Sequence, residues 1–288
     1  MAAAITLVRS PLAAVTACRP VLVPPLGWLA LQALALWPHG RWIAQRLRDG
    51  SDDPLGLAAL AVLAVLVLHL APRLRLQPVL PWLGASIGFT LAATAALVSL
   101  PPLVAALLAA LAMACALAAW LPPDAPRAPL AGLLVLALPL VASLQFYAGF
   151  PLRAVTAQLS AWGLQAVGID AARSGASMTV SGQLVIVDAP CSGVQMAWLA
   201  YFCACAVAAI GGARDGRFLT RLPGVGLLVL AGNVVRNTVL VALEARPQGL
   251  APWAHEAIGL AALAAVCAAV VALMKAPRRA ARLPEIAR

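Results

Sequence analysis

The chain has 288 residues, of which 63% are hydrophobic and only 10% charged. Soluble domains carry about 45–50% apolar and about 25% charged residues, so neither a soluble globular fold nor a disordered chain fits. The net charge of +10 does not point to nucleic acid, because no basic–aromatic interleaving suited to a nucleic-acid groove accompanies it; the positive-inside rule accounts for the same residues.

A helix that crosses a bilayer needs about 20 mostly apolar residues. In chain order, apolar runs of about that length lie near 21–37, 54–71, 78–100, 102–121, 128–150, 192–212, 218–243 and 254–274. Pro101-Pro102 separates the third run from the fourth. The expectation is an all-α integral membrane protein: one polytopic domain over 1–288 with about eight transmembrane helices. Arg9 and Arg19 precede the first run without a small-residue cleavage site, so no signal peptide is read. With both termini in the cytoplasm, thirteen Lys and Arg fall on cytoplasmic segments and six on external ones, and Arg236 falls inside a run. That asymmetry supports the orientation. It makes 275–288 a cytoplasmic tail and 151–190 an external segment. Within that segment, 152–167 has helix-like apolar spacing suited to the membrane interface. Residues 176–187 are β-branched and partly alternating, which predicts a short hairpin around Ser181-Gly182.

Six cysteines occur, at 18, 115, 191, 203, 205 and 267. Cys115, Cys203, Cys205 and Cys267 fall within apolar runs, where cysteine behaves as a small hydrophobe. The absence of a CxxC pair argues against a zinc or redox motif, and no cofactor or metal is expected. Cys191 differs, standing in Asp188-Ala-Pro-Cys-Ser-Gly-Val-Gln195 at the external start of the sixth run. Pro190 suits a first helical turn and Asp188 suits an N-cap. A helix N-terminus favours a thiolate; the Asp188 carboxylate opposes it, so a cationic partner would help.

Arg236 is the residue hardest to explain as ordinary membrane surface, because an arginine within a span costs a few kcal/mol. Asn233 and Asn237 flank it, and such a group suggests a polar cavity rather than lipid contact. Of the three histidines, His69 is expected on the opposite side from Cys191. His39, in the first external loop, and His255, at the start of the eighth run, are expected on the same side. Topology therefore brings Cys191, Arg236 and His255 to one level from three consecutive spans. A thiol nucleophile, a fixed cation and a proton-transfer group are the minimum for acyl transfer through a thioester. Gln195, one turn from Cys191, joins Asp188, Asn233 and Asn237 as a supporting residue.

Pro190-Cys191-Ser192-Gly193, then Asn233-Val-Val-Arg236, then His255 with Gly259, give an order and helix placement that resembles the exosortase/archaeosortase family of membrane transpeptidases. The resemblance covers the C-terminal half directly. It implies a catalytic trio of Cys191, Arg236 and His255 in a bacterial cytoplasmic membrane, with the active site facing outward. The implied substrates are exported proteins ending in a short motif, a membrane helix and a basic tail, often alongside exopolysaccharide production. Membrane lipid is the surrounding partner and nucleic acid is not expected; the acceptor is left open. Two other readings stay open beside this one. A transporter would use Arg236 to bind an anionic group, and a non-catalytic scaffold would serve an envelope polysaccharide or protein export system.

Overall fold

The computed structural model describes residues 24–186, 193–244 and 250–275. Among the described residues ten α-helices run in chain order: α1 Pro25–Ala35, α2 Trp37–Arg48, α3 Leu55–Leu70, α4 Leu80–Ser99, α5 Pro102–Trp120, α6 Arg127–Leu136, α7 Val141–Ala166, α8 Val194–Ile210, α9 Asp215–Glu244 and α10 Pro252–Lys275. A three-stranded sheet of β1 Ala171–Ser174, β2 Ser177–Val180 and β3 Gln183–Ile186 follows α7. Helices α1, α2, α4 and α5 have proline in their first turn, where the missing N–H costs nothing and the fixed φ suits a helix.

The molecule is an all-α membrane protein, with one small sheet among the described residues. Five helices among the described residues are long and apolar enough to cross a membrane: α3 with the turn that follows it, α4, α5, α9 and α10. A sixth span is reached if α6 and α7 count together, although they are bent by 91°. This differs from the eight expected. Helix α1 has only 11 residues and α8 only 17, or about 25 Å for α8 at 1.5 Å per residue, against a hydrocarbon core of about 30 Å. The first run fails because the helix turns at Leu36 and gives way to a polar helix, α2. The sixth shortens because Gly193, at φ +81°, starts α8 late, and Gly211-Gly212 ends it.

The fifth run, 128–150, is not one straight span. Pro139 sits in its middle, where it withholds an N–H and pushes Leu138 out of helical geometry. The second half instead joins α7, which passes through Pro151 to Ala166. A helix therefore fills the stretch 152–166. The turn at Ser181-Gly182 is present, with φ of +49° and +83°, the left-handed pair of a tight hairpin turn. It joins β2 to β3 with Val180 opposite Gln183, and β1 adds a third antiparallel strand.

Helix α5 is the most enclosed of the spans. Its run of alanines, including Ala105, Ala106, Ala109, Ala112, Ala116 and Ala119, is buried. Side chains this small let neighbouring backbones approach where hydrophobic exclusion from lipid gives no drive. Ser86 of α4 adds a hydrogen bond to the Ala112 carbonyl at 2.9 Å. The main core joins α3, α5, α6, α8, α9 and α10. A second, smaller core places Met178 and Val180 of the sheet over Ala157, Ala161 and Leu164 of α7 and Val241 of α9.

The bundle has two distinct ends. At one, Arg75 N–H donates to the Trp120 carbonyl, Ala128 N–H to Asp215 and Arg221 to the Met274 carbonyl. This end carries Arg73, Arg75, Arg127, Arg214, Arg217, Arg221 and Lys275. The other gathers the 49–54 loop, the α4–α5 turn, the α6–α7 break and the starts of α8 and α10. There Asp52, its side chain fully buried, accepts from Ala142 N–H at 3.3 Å. Asp53 Oδ2 accepts from Gln195 Nε2 at 2.9 Å.

Candidate functional site

Consecutive helices α8, α9 and α10 line an open cavity of about 530 Å³ at this second end. Helix α8 contributes Gly193, Gln195, Met196 and Leu199; α9 contributes Arg236; α10 contributes His255, Glu256, Gly259, Leu260 and Leu263. Most of the lining is apolar, which raises the effective strength of charges within it.

Arg236 reaches this cavity because it stands on the α10-facing side of α9, opposite a residue without a side chain. A methyl group at Gly259 would lie 3.4 Å from Nε and from one terminal nitrogen of Arg236. The guanidinium thus rests against the backbone of α10. His255 precedes Gly259 by four residues, on the same helical face. Arg236 and His255, predicted from sequence as members of one constellation, line one cavity, and Gln195 lines it with them.

The two asparagines lie behind that wall. Asn233 and Asn237 are each only 2% exposed. Asn233 donates to Thr156 Oγ1 of α7 at 3.2 Å. Asn237 donates to the Asn233 carbonyl at 2.9 Å, one turn back along α9. The Asn233 side chain also abuts Gly193, where a Cβ would lie 2.9 Å from both its Cγ and its Nδ2. Gly193 is therefore required twice, for its positive φ and for this approach. It also borders a second cavity of about 160 Å³ toward α7, lined among others by Thr156, Tyr201 and Asn233.

Cys191 and Asp188 lie outside the described residues; Cys191 precedes Gly193 by two positions in the chain. His39 is not in a loop: it is buried in α2 and takes no part in lining the cavity. Burial pushes its pKa below the ordinary histidine value.

Three participants were not anticipated. Thr156 anchors Asn233 from α7, Asp53 anchors Gln195 from the loop before α3, and Glu256 lines the cavity beside His255. Asp53 and Thr156 act across 142 and 77 residues of chain, a distance no local pattern encodes. Glu256 was open to notice, as an acidic residue next to the chosen histidine at the start of an apolar run.

A family model describing transmembrane exosortases matches residues 42–272. That range takes in α3 to α9, most of α10, the Asp52-Asp53 loop and every residue that lines the main cavity. No curated protein and no solved structure gives a match.

Proposed function

The chain belongs to the transmembrane exosortase family, and from that premise we propose that it is a membrane cysteine peptidase or transpeptidase that removes C-terminal sorting signals from exported proteins. The observation that carries this reading is the shared cavity of Arg236 and His255, bordered by Gly193 two residues after Cys191.

The Cys191 thiolate attacks the scissile carbonyl carbon, forming a C–S bond and a tetrahedral oxyanion. Arg236 stabilises that oxyanion, and loss of one such donor typically costs about 2.7–4 kcal/mol of transition-state stabilisation. The C–N bond then breaks, and the departing amine takes a proton from His255. The resulting thioester is opened by water or an acceptor amine, which gives its proton to His255 as the thiolate leaves. Asn233, Asn237 and Gln195 hold the walls in place, and Asp188 belongs to the same supporting set.

The seven Lys and Arg at the opposite end of the bundle favour placing that end in the cytoplasm. The cavity then faces the exterior of a bacterial inner membrane, with both termini inside. The substrate in this reading carries a short motif, a membrane helix and a basic tail.

The test is co-expression with an exported protein that ends in such a signal, read by the size of the product. Cys191→Ala, Arg236→Ala and His255→Ala should each leave the precursor uncut at normal enzyme levels. Unchanged processing by Cys191→Ala would remove the proposal. A membrane-impermeant thiol reagent applied from outside should label Cys191; labelling of Cys203 instead would overturn the orientation.

A further inference from the structure

The exposed surface changes character abruptly along α1 and α2. Helix α1 presents Trp28, Leu31 and Leu34, the last 67% exposed. Three residues beyond Leu34 stands Trp37, 51% exposed, and four beyond that the exposed Arg41; Gln45 and Arg48 continue the same exposed face. The Arg41 guanidinium sits 4.9 Å from the Trp37 ring centre. Exposed apolar groups on α1 are thus followed, across the turn at Leu36, by an exposed aromatic and then cationic groups on α2. That is the order in which a bilayer presents acyl chains, interface and phosphate.

The opposite face of α2 is committed to the protein. Leu36 and His39 are buried, and Trp42 and Ile43 pack on Ala106, Ala110 and Leu138. Arg46 turns inward, donating to the Ser51 carbonyl at 3.1 Å and lying 3.8 Å from Asp52. Arg46 also lies 5.8 Å from the Trp42 ring centre, while Arg41 and Arg48 are exposed. The acidic group nearest in sequence, Asp49, accepts from Ser51 N–H at 2.9 Å.

We propose that the exposed face of α2, through Arg41 and Arg48 with Trp37, is a docking surface for the headgroups of anionic phospholipids. The two guanidinium groups supply planar, multi-donor contacts to phosphate, and Trp37 marks the depth at which they meet it. The surface is independent of the thioester chemistry above. Its position is still consequential, because α2 leads directly into the 49–54 loop that hydrogen-bonds Gln195.

The experiment uses the full chain with a photo-crosslinking phenylalanine analogue in place of Gln45, in nanodiscs of mixed phosphatidylglycerol and phosphatidylcholine. Mass spectrometry of the adducts reads which lipid lies against α2. Phosphatidylglycerol adducts should exceed the bulk lipid ratio by of order tenfold at low salt, falling as salt is raised. Arg41→Gln with Arg48→Gln should return the ratio to bulk, and the paired lysine substitutions should keep most of the enrichment. A wild-type ratio equal to bulk, an enrichment indifferent to the glutamine pair, or adducts mainly to another protein would each overturn the proposal.

Discussion

Replacing Gly193 with alanine tests the architecture of the site without touching a reactive group. The added Cβ meets two separate penalties. At φ +81° it clashes with the neighbouring backbone, a cost of about 1–2 kcal/mol. It would also lie 2.9 Å from two atoms of Asn233, well inside the roughly 3.5–4.0 Å of an ordinary carbon contact. Asn233 is buried and tied to Thr156, so it yields only by breaking that bond or shifting α9, and overpacking of this kind costs about 1–3 kcal/mol. The expected destabilisation is therefore about 2–5 kcal/mol. Thermal unfolding in detergent micelles of Gly193→Ala, Asn233→Ala and the double variant separates the two parts. Asn233→Ala alone should lose about 1 kcal/mol with its hydrogen bond. The double variant should be less destabilised than the sum, because removing the amide relieves the overlap but not the backbone strain. Strict additivity, or a Gly193→Ala protein within about 0.5 kcal/mol of wild type, would refute the reasoning.

Gly259→Ala should be nearly silent because its methyl group just fits beside Arg236, whereas Gly259→Leu should displace the guanidinium and cut signal processing at least about tenfold, a barrier change of about 1.4 kcal/mol, with normal membrane levels by immunoblot. Arg236→Lys should lose a comparable factor, since an ammonium cannot reproduce the planar donors; near-normal cleavage rates would argue against an oxyanion role. Asp53→Ala should slow cleavage a few-fold by releasing Gln195, and Asp53→Asn, which keeps the acceptor, should restore most of the rate. His39 titrates below its ordinary value of about 6.5 because burial disfavours its charged form. Its contribution to stability is then fully present above that value and is lost as pH falls through the lower folded-state pKa. The melting temperature should drop between neutral and mildly acidic pH, and His39→Gln should flatten the drop.

The spanning helices, and the meeting of Arg236 and His255 at one cavity, were legible because they are written in scarcity. Five of the apolar runs correspond to helices of spanning length, and an arginine within such a run stands out against lipid. The failures share a different cause. Hydrophobic content does not distinguish helix from non-helix within a run, so α1 and α8 look longer in the sequence than the backbone permits. Pro139 was visible yet hidden by the leucines around it, and only the observed 91° bend shows that it breaks the run. Asp53 and Thr156 were illegible for a stronger reason. Each is an unremarkable polar residue whose importance lies entirely in a partner far along the chain. The asparagines stood out in the sequence as neighbours of Arg236, but a helical wheel gives their faces and not which neighbour covers each one, and the Thr156 partner of Asn233 was not legible.

The cavity walls come from three helices in immediate succession, so most of the contacts that shape it close short loops. Contacts of that kind form at small entropic cost once their helices are in the membrane. During synthesis, the segments that carry Asp53 and Thr156 leave the ribosome before α8 to α10. They act as two waiting anchor points, one for Gln195 and one for Asn233, against which a locally assembled C-terminal unit registers. Assembly thus runs from an early scaffold to a late site, and a chain stalled before α10 would hold both anchors and Arg236 while lacking the wall that carries His255.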